Sequence, residues 1–585
     1  MGYGKARVKI TKCLAITIIK RYWRLPRLRL RQCKFSLHKF SKDREGKVMV
    51  SRRQFLQLTG LSPLLATASC SKPVPEQTVA EATAARASRK PNVLFICIDD
   101  LNDWIGSLRG HPQAKTPNID RLMSSGVNFT NAHCSAPICS ASRNSLLTGL
   151  KPSTTGWYTN AKFEHSVDDI LKDIPTLPEH FKNNGYKTMA GGKIFHTGVS
   201  DYRHHQWHET LPEYVITNEY LLGRGYGYGR YGDKDHKYYP FPKDGGQIVQ
   251  ALGPDTRGKS LCWGALDRKD IPHNGVMPDE YITNWAVKQL QQTHDQPFFL
   301  AAGFIRPHSP FTAPKEYFDL FPLEQVQMPE IIDDEMADIP LYGKAMALGI
   351  IDGGDHAAVT QVSDSFWREL VRANLACIAF VDYQVGKLLD ALEAGPNSTN
   401  TLVVLWSDHG QNFGEHRNWR KMTLWQESTH VPFVIRLPGQ TQGKVCQQAV
   451  SLLDIYPTLT ALCQLPAVDA NEGLSLADLC INPSLERKPP AVSTWGYKNH
   501  AVITETWRYI QYRDGSEELY HNIDDPNQHY NLAKMPEYQA VKNTLQIWLP
   551  KHNQLPPGMS EFTGDFLEQR INQWQQANGV PDWLS

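Results

Sequence analysis

Two uninterrupted apolar runs stand out from an otherwise mixed pattern. One is Asn92-Val93-Leu94-Phe95-Ile96-Cys97-Ile98, closed by Asp99-Asp100; the other is Thr401-Leu402-Val403-Val404-Leu405-Trp406-Ser407, closed by Asp408-His409. Runs that stay apolar instead of alternating predict strands buried on both faces, as in a parallel sheet covered by helices. Both end in acidic residues, which places carboxylates at the C-terminal edge of the sheet, where α/β proteins bind ligands. From Asn92 to about Pro466 strand-type and helix-type segments alternate, with Leu452 to Leu459 as one of the last helices, so the expected fold is an α/β sandwich with a mostly parallel central sheet. Beyond Pro489, three short segments (Ala491 to Trp495, Ala501 to Thr504 and Tyr509 to Arg513) predict a smaller C-terminal α+β unit, a short sheet followed by a helix. Residues 202–278 are rich in Tyr, Gly, His and Asp with weak periodicity, the profile of an insertion that shapes a pocket.

Charge changes the picture at the N-terminus. The first 48 residues hold 15 Lys or Arg against 2 acids and carry no clear hydrophobic period, so residues 1–48 read as a basic extension or a misassigned start. Met49-Val50-Ser51-Arg52-Arg53-Gln54-Phe55-Leu56 resembles a bacterial twin-arginine export signal, and the apolar stretch from Leu58 to Ala68 is too short for a membrane span. Cys70 is a candidate lipoprotein cleavage and lipid-anchor site. Residues 71–90 read as a linker, which gives 49–90 as signal and linker, 91–488 as a catalytic domain and 489–585 as a C-terminal subdomain. The expected location is the periplasm or outer envelope of a bacterium. With a net charge of +2 for all 585 residues, everything after the basic extension is acidic, which argues against a nucleic-acid partner. Eleven cysteines, an odd number without paired metal spacing, do not suggest a disulfide framework.

The acidic strand ends also carry chemistry. Adjacent carboxylates such as Asp99-Asp100 repel unless a cation neutralises them, so a divalent metal is the simple resolution, and an oxygen-rich set favours Ca²⁺ or Mg²⁺ over zinc. Read alone, Cys139-Ser140-Ala141-Ser142-Arg143 would be a loop entering a helix, with Ser140 or Ser142 as N-cap. It is followed, however, by Gly185-Tyr186-Lys187-Thr188-Met189-Ala190-Gly191-Gly192-Lys193-Ile194-Phe195-His196. These two segments together resemble the paired active-site motifs of type I, formylglycine-dependent sulfatases. The resemblance narrows toward iduronate-2-sulfatases in Phe298-Phe299-Leu300-Ala301-Ala302-Gly303-Phe304-Ile305-Arg306-Pro307-His308, in Gly414-Glu415-His416 with Trp419-Arg420-Lys421, and in Thr429-His430-Val431-Pro432. It extends from about residue 90 to about 540.

What the resemblance implies is specific. The fold would be alkaline-phosphatase-like. Cys139 would be oxidised to formylglycine by a formylglycine-generating or radical maturation enzyme, with Ala141 standing where most sulfatases have Pro. Asp99, Asp100, Asp408 and His409 would hold the metal, Ca²⁺ or Mg²⁺, with an oxygen of modified Cys139. Arg143 and Lys193 would stabilise the hydrated aldehyde and His196 would help deprotonate it. Lys421 and His308 would contact the sulfate, with His308 as general acid. Arg306 would add to a basic pocket for a sulfated carbohydrate, and Trp495, Tyr497 and His500 of the C-terminal subdomain would touch the sugar. Glu415, His416 and His430 are expected to make structural hydrogen bonds. The implied substrate is a 2-O-sulfated uronic acid in a glycosaminoglycan or an algal polysaccharide. The two other readings are a phosphoester or phosphonate hydrolase of the alkaline phosphatase superfamily, and an inactive sulfated-glycan-binding protein.

Overall fold

The run at Asn92–Asp99 forms the first strand, β1, at the middle of an eight-stranded sheet. Its companions are β2 (Val127–Phe129), β3 (Lys187–Gly192), β4 (Glu209–Thr210), β5 (Phe298–Pro307), β6 (Thr401–Ser407), β7 (Phe433–Arg436) and β8 (Lys444–Cys446), in the spatial order β8-β2-β7-β6-β1-β5-β3-β4. β1 runs parallel to both β5 and β6, with Val93 opposite Phe299 on one side and Leu402 on the other. The sheet is mostly parallel as expected; β7 departs from it, antiparallel to both of its neighbours.

Both faces of β1 are covered, which is why its sequence does not alternate. Leu94, Ile96 and Ile98 pack with helices Pro278–Leu290 and Asp364–Ala394, the second 31 residues long. Val93, Phe95 and Cys97 pack on the other face with Leu146 and Leu147 of helix Cys139–Thr148 and with Ile455 and Leu459 of helix Ile455–Leu462. Each large apolar side chain so enclosed contributes about 1.5–3 kcal/mol. The structure is a computed structural model that describes residues 90–160, 170–196, 198–199, 203–211, 263–309, 311–348, 356, 359–360, 363–577 and 579–580. The basic extension, the Arg52-Arg53 signal, Cys70 and most of the Tyr- and Gly-rich insertion fall outside them. Among the described residues no helix is long and apolar enough to cross a membrane.

Two local departures have clear causes. Leu452–Asp454 is a 3₁₀ turn, and the α-helix begins only at Ile455. Ser451 and Asp454 form a reciprocal capping box that fixes the turn, and Pro457, which has no N–H to donate, falls in the first helical turn where none is needed. The C-terminal sheet has a fourth strand beyond the three expected. Ala491–Thr494, His500–Ile503, Trp507–Gln511 and Glu517–His521 form an antiparallel meander in chain order, followed by helices Gln539–Gln546 and Phe566–Gln576. The last strand, Glu517–His521, is masked in the sequence because one of its three fully buried residues, Glu518, Leu519 and Tyr520, is a carboxylate.

The sheet edge near β3 and β5 is set by two glycines. Gly192 and Gly303 are register partners, Gly192 has φ 84°, and a Cβ on Gly303 would run into the backbone of Lys193. Close approach lets Lys193 N–H donate to the Gly303 carbonyl at 2.9 Å. Gly303→Ala is expected to cost about 1–3 kcal/mol through overpacking, read as a lower urea midpoint.

Candidate active site

The register that pairs Ile98 with Ser407 carries the chain ends of β1 and β6 to one place. Asp99 and Asp408 follow on adjacent strands, and both are fully buried. Between them lies Arg143, also fully buried, whose Nε donates to Asp408 Oδ2 at 2.8 Å and whose second terminal nitrogen donates to Asp99 Oδ1 at 3.2 Å. Its remaining terminal nitrogen donates to the carbonyls of Lys193 (2.6 Å) and Ile194 (3.1 Å). Asp100 turns away in the left-handed region at φ 63°, which Asp tolerates better than most residues, and its N–H donates to Asp408 Oδ1 at 3.1 Å.

Cys139 opens the helix Cys139–Thr148. The N-cap is Ile138, in an extended conformation with no side-chain cap, so neither Ser140 nor Ser142 fills that place. Ser142 instead donates its hydroxyl to the Asp408 carbonyl at 2.5 Å. A helix N-terminus favours negative charge, and here side chains add to it. Lys421 Nζ lies 3.1 Å from Cys139 Sγ and 2.6 Å from Asp100 Oδ1, while His409 Nε2 is 3.2 Å from the sulfur. Lys193 Nζ is 2.5 Å from Asp99 Oδ2. Burial would raise the Cys139 thiol, but Lys193, Lys421 and His409, with a hydrogen bond from His196, outweigh it and hold it well below the usual thiol range. Asp99 is likewise held below the carboxylate range: burial pushes it up, and Lys193, His308 and Arg143 more than compensate. Burial dominates at Asp408, pushed up to about 6 against the pull of Arg143 and His409. At His409 the balance is reversed: burial disfavours the cation, yet Asp408 raises it to about 9.

Two overlapping donor sets that share Asp99 and Cys139 could hold a cation. Ligand atoms of Asp99, Cys139, Asp408 and His409 lie within 4.8 Å of one another, as do those of Asp99, Asp100, Cys139 and His308. That is about twice a Ca–O distance of roughly 2.4 Å, and two of the four donors in each set are carboxylate oxygens, joined by the Cys139 sulfur and one imidazole. His409 Nδ1 lies 3.0 Å from the Gly410 carbonyl, which turns Nε2 inward as a ligating imidazole requires. His308 is built the same way, with Nδ1 2.6 Å from the Ser309 carbonyl and Nε2 3.8 Å from Asp100 Oδ2.

The structure thus brings together Asp99, Asp100, Cys139, Arg143, Lys193, His196, His308, Asp408, His409 and Lys421. It places the expected sugar-contacting residues differently. Arg306 is buried and directs its guanidinium to the Thr312 carbonyl (2.7 Å) and hydroxyl (2.9 Å). Trp495 is enclosed in an apolar cluster, and His500, buried beside Thr494 Oγ1 at 2.9 Å, is pushed down to about 4 by that burial. The half-buried Tyr497 packs against Phe562, with ring centroids 4.8 Å apart. Glu415, His416 and His430 make backbone contacts, to Phe413 N (2.6 Å), Gln528 O (3.1 Å) and Thr130 O (2.9 Å). One contributor had no sequence signal: Asn160, twenty residues beyond Ser140, accepts the Ser140 N–H at 2.8 Å and so braces the first turn of the Cys139 helix.

The geometry gathers buried carboxylates, cations and a cysteine at one sheet edge, and comparison with known proteins names the class. Residues 91–465 match the family model described as Sulfatase, and residues 414–554 match the one described as N-sulphoglucosamine sulphohydrolase, C-terminal. The chain is 38% identical to a sulfatase of Formosa agariphila over 82% of this chain and 91% of that one. It is 30% identical to iduronate 2-sulfatase of Homo sapiens over 67% of this chain and 71% of that one. The fold is shared with a solved structure described as BT1596, a 2-O GAG sulfatase, at a TM-score of 0.58 and 23% identity, covering 85% and 96% of the two chains. The chain belongs to the sulfatase family and is a sulfuric ester hydrolase.

Removing Arg143 should expose the electrostatic role of this cluster. In chelator-treated protein, Arg143→Met is expected to cost about 3–5 kcal/mol, since it leaves buried carboxylates without their partner. Added calcium should restore part of that loss in urea denaturation. An unchanged midpoint would mean that the carboxylates are accommodated by protonation.

Proposed function

We propose that the protein hydrolyses O-sulfate esters of a carbohydrate, specifically a 2-O-sulfated uronic acid in a glycosaminoglycan or algal polysaccharide fragment. The observation that carries this reading is Cys139 at a helix N-terminus, between Lys421 (3.1 Å) and His409 (3.2 Å) and beside a buried carboxylate set. The uronic-acid substrate is supported by the likeness to iduronate 2-sulfatase and to a structure named as a 2-O GAG sulfatase. The reading includes a catalytic domain at 91–488 with a C-terminal subdomain at 489–585, and export to the bacterial periplasm or outer envelope through the Arg52-Arg53 signal.

Converted to formylglycine by a maturation enzyme, residue 139 would supply a geminal diol as nucleophile toward sulfur, its oxygens replacing the Cys139 sulfur. A divalent cation held by Asp99, Asp100, Asp408 and His409 would supply Lewis acidity to the same place. The remaining work belongs to the chain itself. Lys193, 2.5 Å from Asp99 Oδ2, keeps a positive charge beside residue 139. His196 is placed by its hydrogen bond to residue 139 to take a proton from it. Lys421 neutralises a non-bridging sulfate oxygen, and His308, its Nδ1 side occupied by the Ser309 carbonyl, presents Nε2 to protonate the departing sugar oxygen. Arg143 is fully enclosed by Asp99, Asp408 and two carbonyls, so it positions the others without touching substrate.

Co-expression with a formylglycine-generating enzyme is expected to give an aldehyde in the peptide containing residue 139, and sulfate release from 2-O-sulfated uronate oligosaccharides. Cys139→Ala and chelation should each abolish turnover. Phosphate-ester hydrolysis that survives Cys139→Ala would favour a phosphoester hydrolase, and oligosaccharide binding without sulfate release would favour an inactive glycan-binding protein.

A further inference from the structure

The segment that carries Lys421 is backbone-strained. His416 (φ 51°), Arg417 (φ 53°), Arg420 (φ 73°) and Met422 (φ 77°) all occupy the left-handed region, and none is glycine. Each such residue crowds its Cβ against the backbone and persists only where its surroundings over-determine it. Two of them flank Lys421 directly.

Much of what holds the segment comes from the C-terminal sheet. Arg508, on the strand Trp507–Gln511, donates to the Leu424 carbonyl at 2.7 Å and to Thr429 Oγ1 at 2.9 Å. Glu518, on the strand Glu517–His521, accepts from Trp425 Nε1 at 2.8 Å. Its carboxylate also accepts from Tyr512 (2.5 Å) and Tyr520 (2.7 Å), so it is fixed from three sides. Trp425 stacks on the strained His416, with ring centroids 4.4 Å apart at 13°. The Gln528 side chain accepts from Gln426 N at 3.2 Å. Arg508, Glu518 and Trp425 are all buried, and Met422, Leu424 and Trp425 share one apolar cluster with Ile503, Ile510, Tyr520 and the Cys139 neighbours Ile138 and Ala141. The segment in turn touches the nucleophile loop, where Met422 N–H donates to the Pro137 carbonyl at 3.2 Å.

We propose that Arg508 and Glu518 are positioning residues for catalysis: through Leu424 and Trp425 they hold Lys421 against residue 139 and Asp100. The C-terminal sheet then sets the strength of sulfate binding although it contributes neither nucleophile nor metal ligand. This rests on the proposed contact between Lys421 and sulfate.

Trp425→Phe tests it, because it keeps an aromatic ring beside His416 while deleting the N–H donated to Glu518 along with part of the indole; Arg508→Met, which leaves the indole intact, provides an independent second cut. Binding of inorganic sulfate to the mature enzyme is measured by calorimetry, which needs no turnover. Trp425→Phe is expected to weaken sulfate binding about fivefold or more in the wild-type background and less than twofold in Lys421→Ala, since residues that act through one another are non-additive. Equal weakening in both backgrounds, the result of a merely structural role, overturns the proposal, as does no weakening in the wild-type background. Should Lys421→Ala itself leave sulfate affinity unchanged, the assigned sulfate contact fails, and a crystal structure of Trp425→Phe decides the positioning. A Lys421 ammonium displaced from Asp100 upholds it, and one still within hydrogen-bond distance overturns it.

Discussion

Everything at this site depends on one buried guanidinium. Parallel pairing of β1 with β6 brings Asp99 and Asp408 to neighbouring strand ends, where two unscreened carboxylates would repel strongly in the low dielectric of the interior. Arg143 spans them at 3.2 and 2.8 Å and spends its other donors on the carbonyls that follow β3. One side chain therefore ties β1, β6, the Cys139 helix and the Lys193 turn into a single unit. A lysine could not do so, since its ammonium lacks the planar fork that reaches two carboxylates and a carbonyl pair at once.

That enclosure also sorts the cations by role. Arg143 has no exposed side-chain surface, whereas the Lys193 and Lys421 side chains retain 7% and 10%. A sulfate ester is an anion approaching a cluster of three carboxylates, and it is attracted only if positive charge faces it first. The two lysines and the helix N-terminus lie on the residue 139 side, so positive charge stands beside that position. Such a division is what the proposed reaction needs, a metal on the carboxylates and an anionic ester on the ammonium groups.

How much of this was legible depended on the range of the interactions. The runs Asn92–Asp99 and Thr401–Ser407 were readable because burial on both faces removes polar residues from the sequence itself. The motif residues were readable because two separate segments, around Cys139 and around Lys193, matched one family's paired pattern in the expected order. The antiparallel turn of β7 was not readable, since its four residues Phe433–Arg436 carry no sign of direction. Glu517–His521 was missed because an inward Glu518 looks like a solvated charge until its three donors are seen. Arg306, Trp495 and His500 show the converse. Their residue types suit sugar binding, but Thr312, the C-terminal apolar cluster and Thr494 claim them first. Asn160 sits outside every motif, and only the folded loop brings it to Ser140.

The strained residues complete the argument about where such a site can exist. Asp100, His416, Arg417, Arg420 and Met422 hold left-handed conformations in segments that lead to residue 139, and their combined cost is comparable to a large part of a domain's net stability. No single contact offsets it. The compensation is distributed: the Pro137 carbonyl, Asn412, whose side chain donates to the Arg420 carbonyl at 3.3 Å, and the Arg508 and Glu518 pair on a separate sheet. A loop alone could present a lysine, yet it could not keep its ammonium 2.6 Å from Asp100 against that strain. The short C-terminal sheet is therefore part of what holds the segment around Lys421 in place, through Arg508 on Leu424 and Glu518 on Trp425.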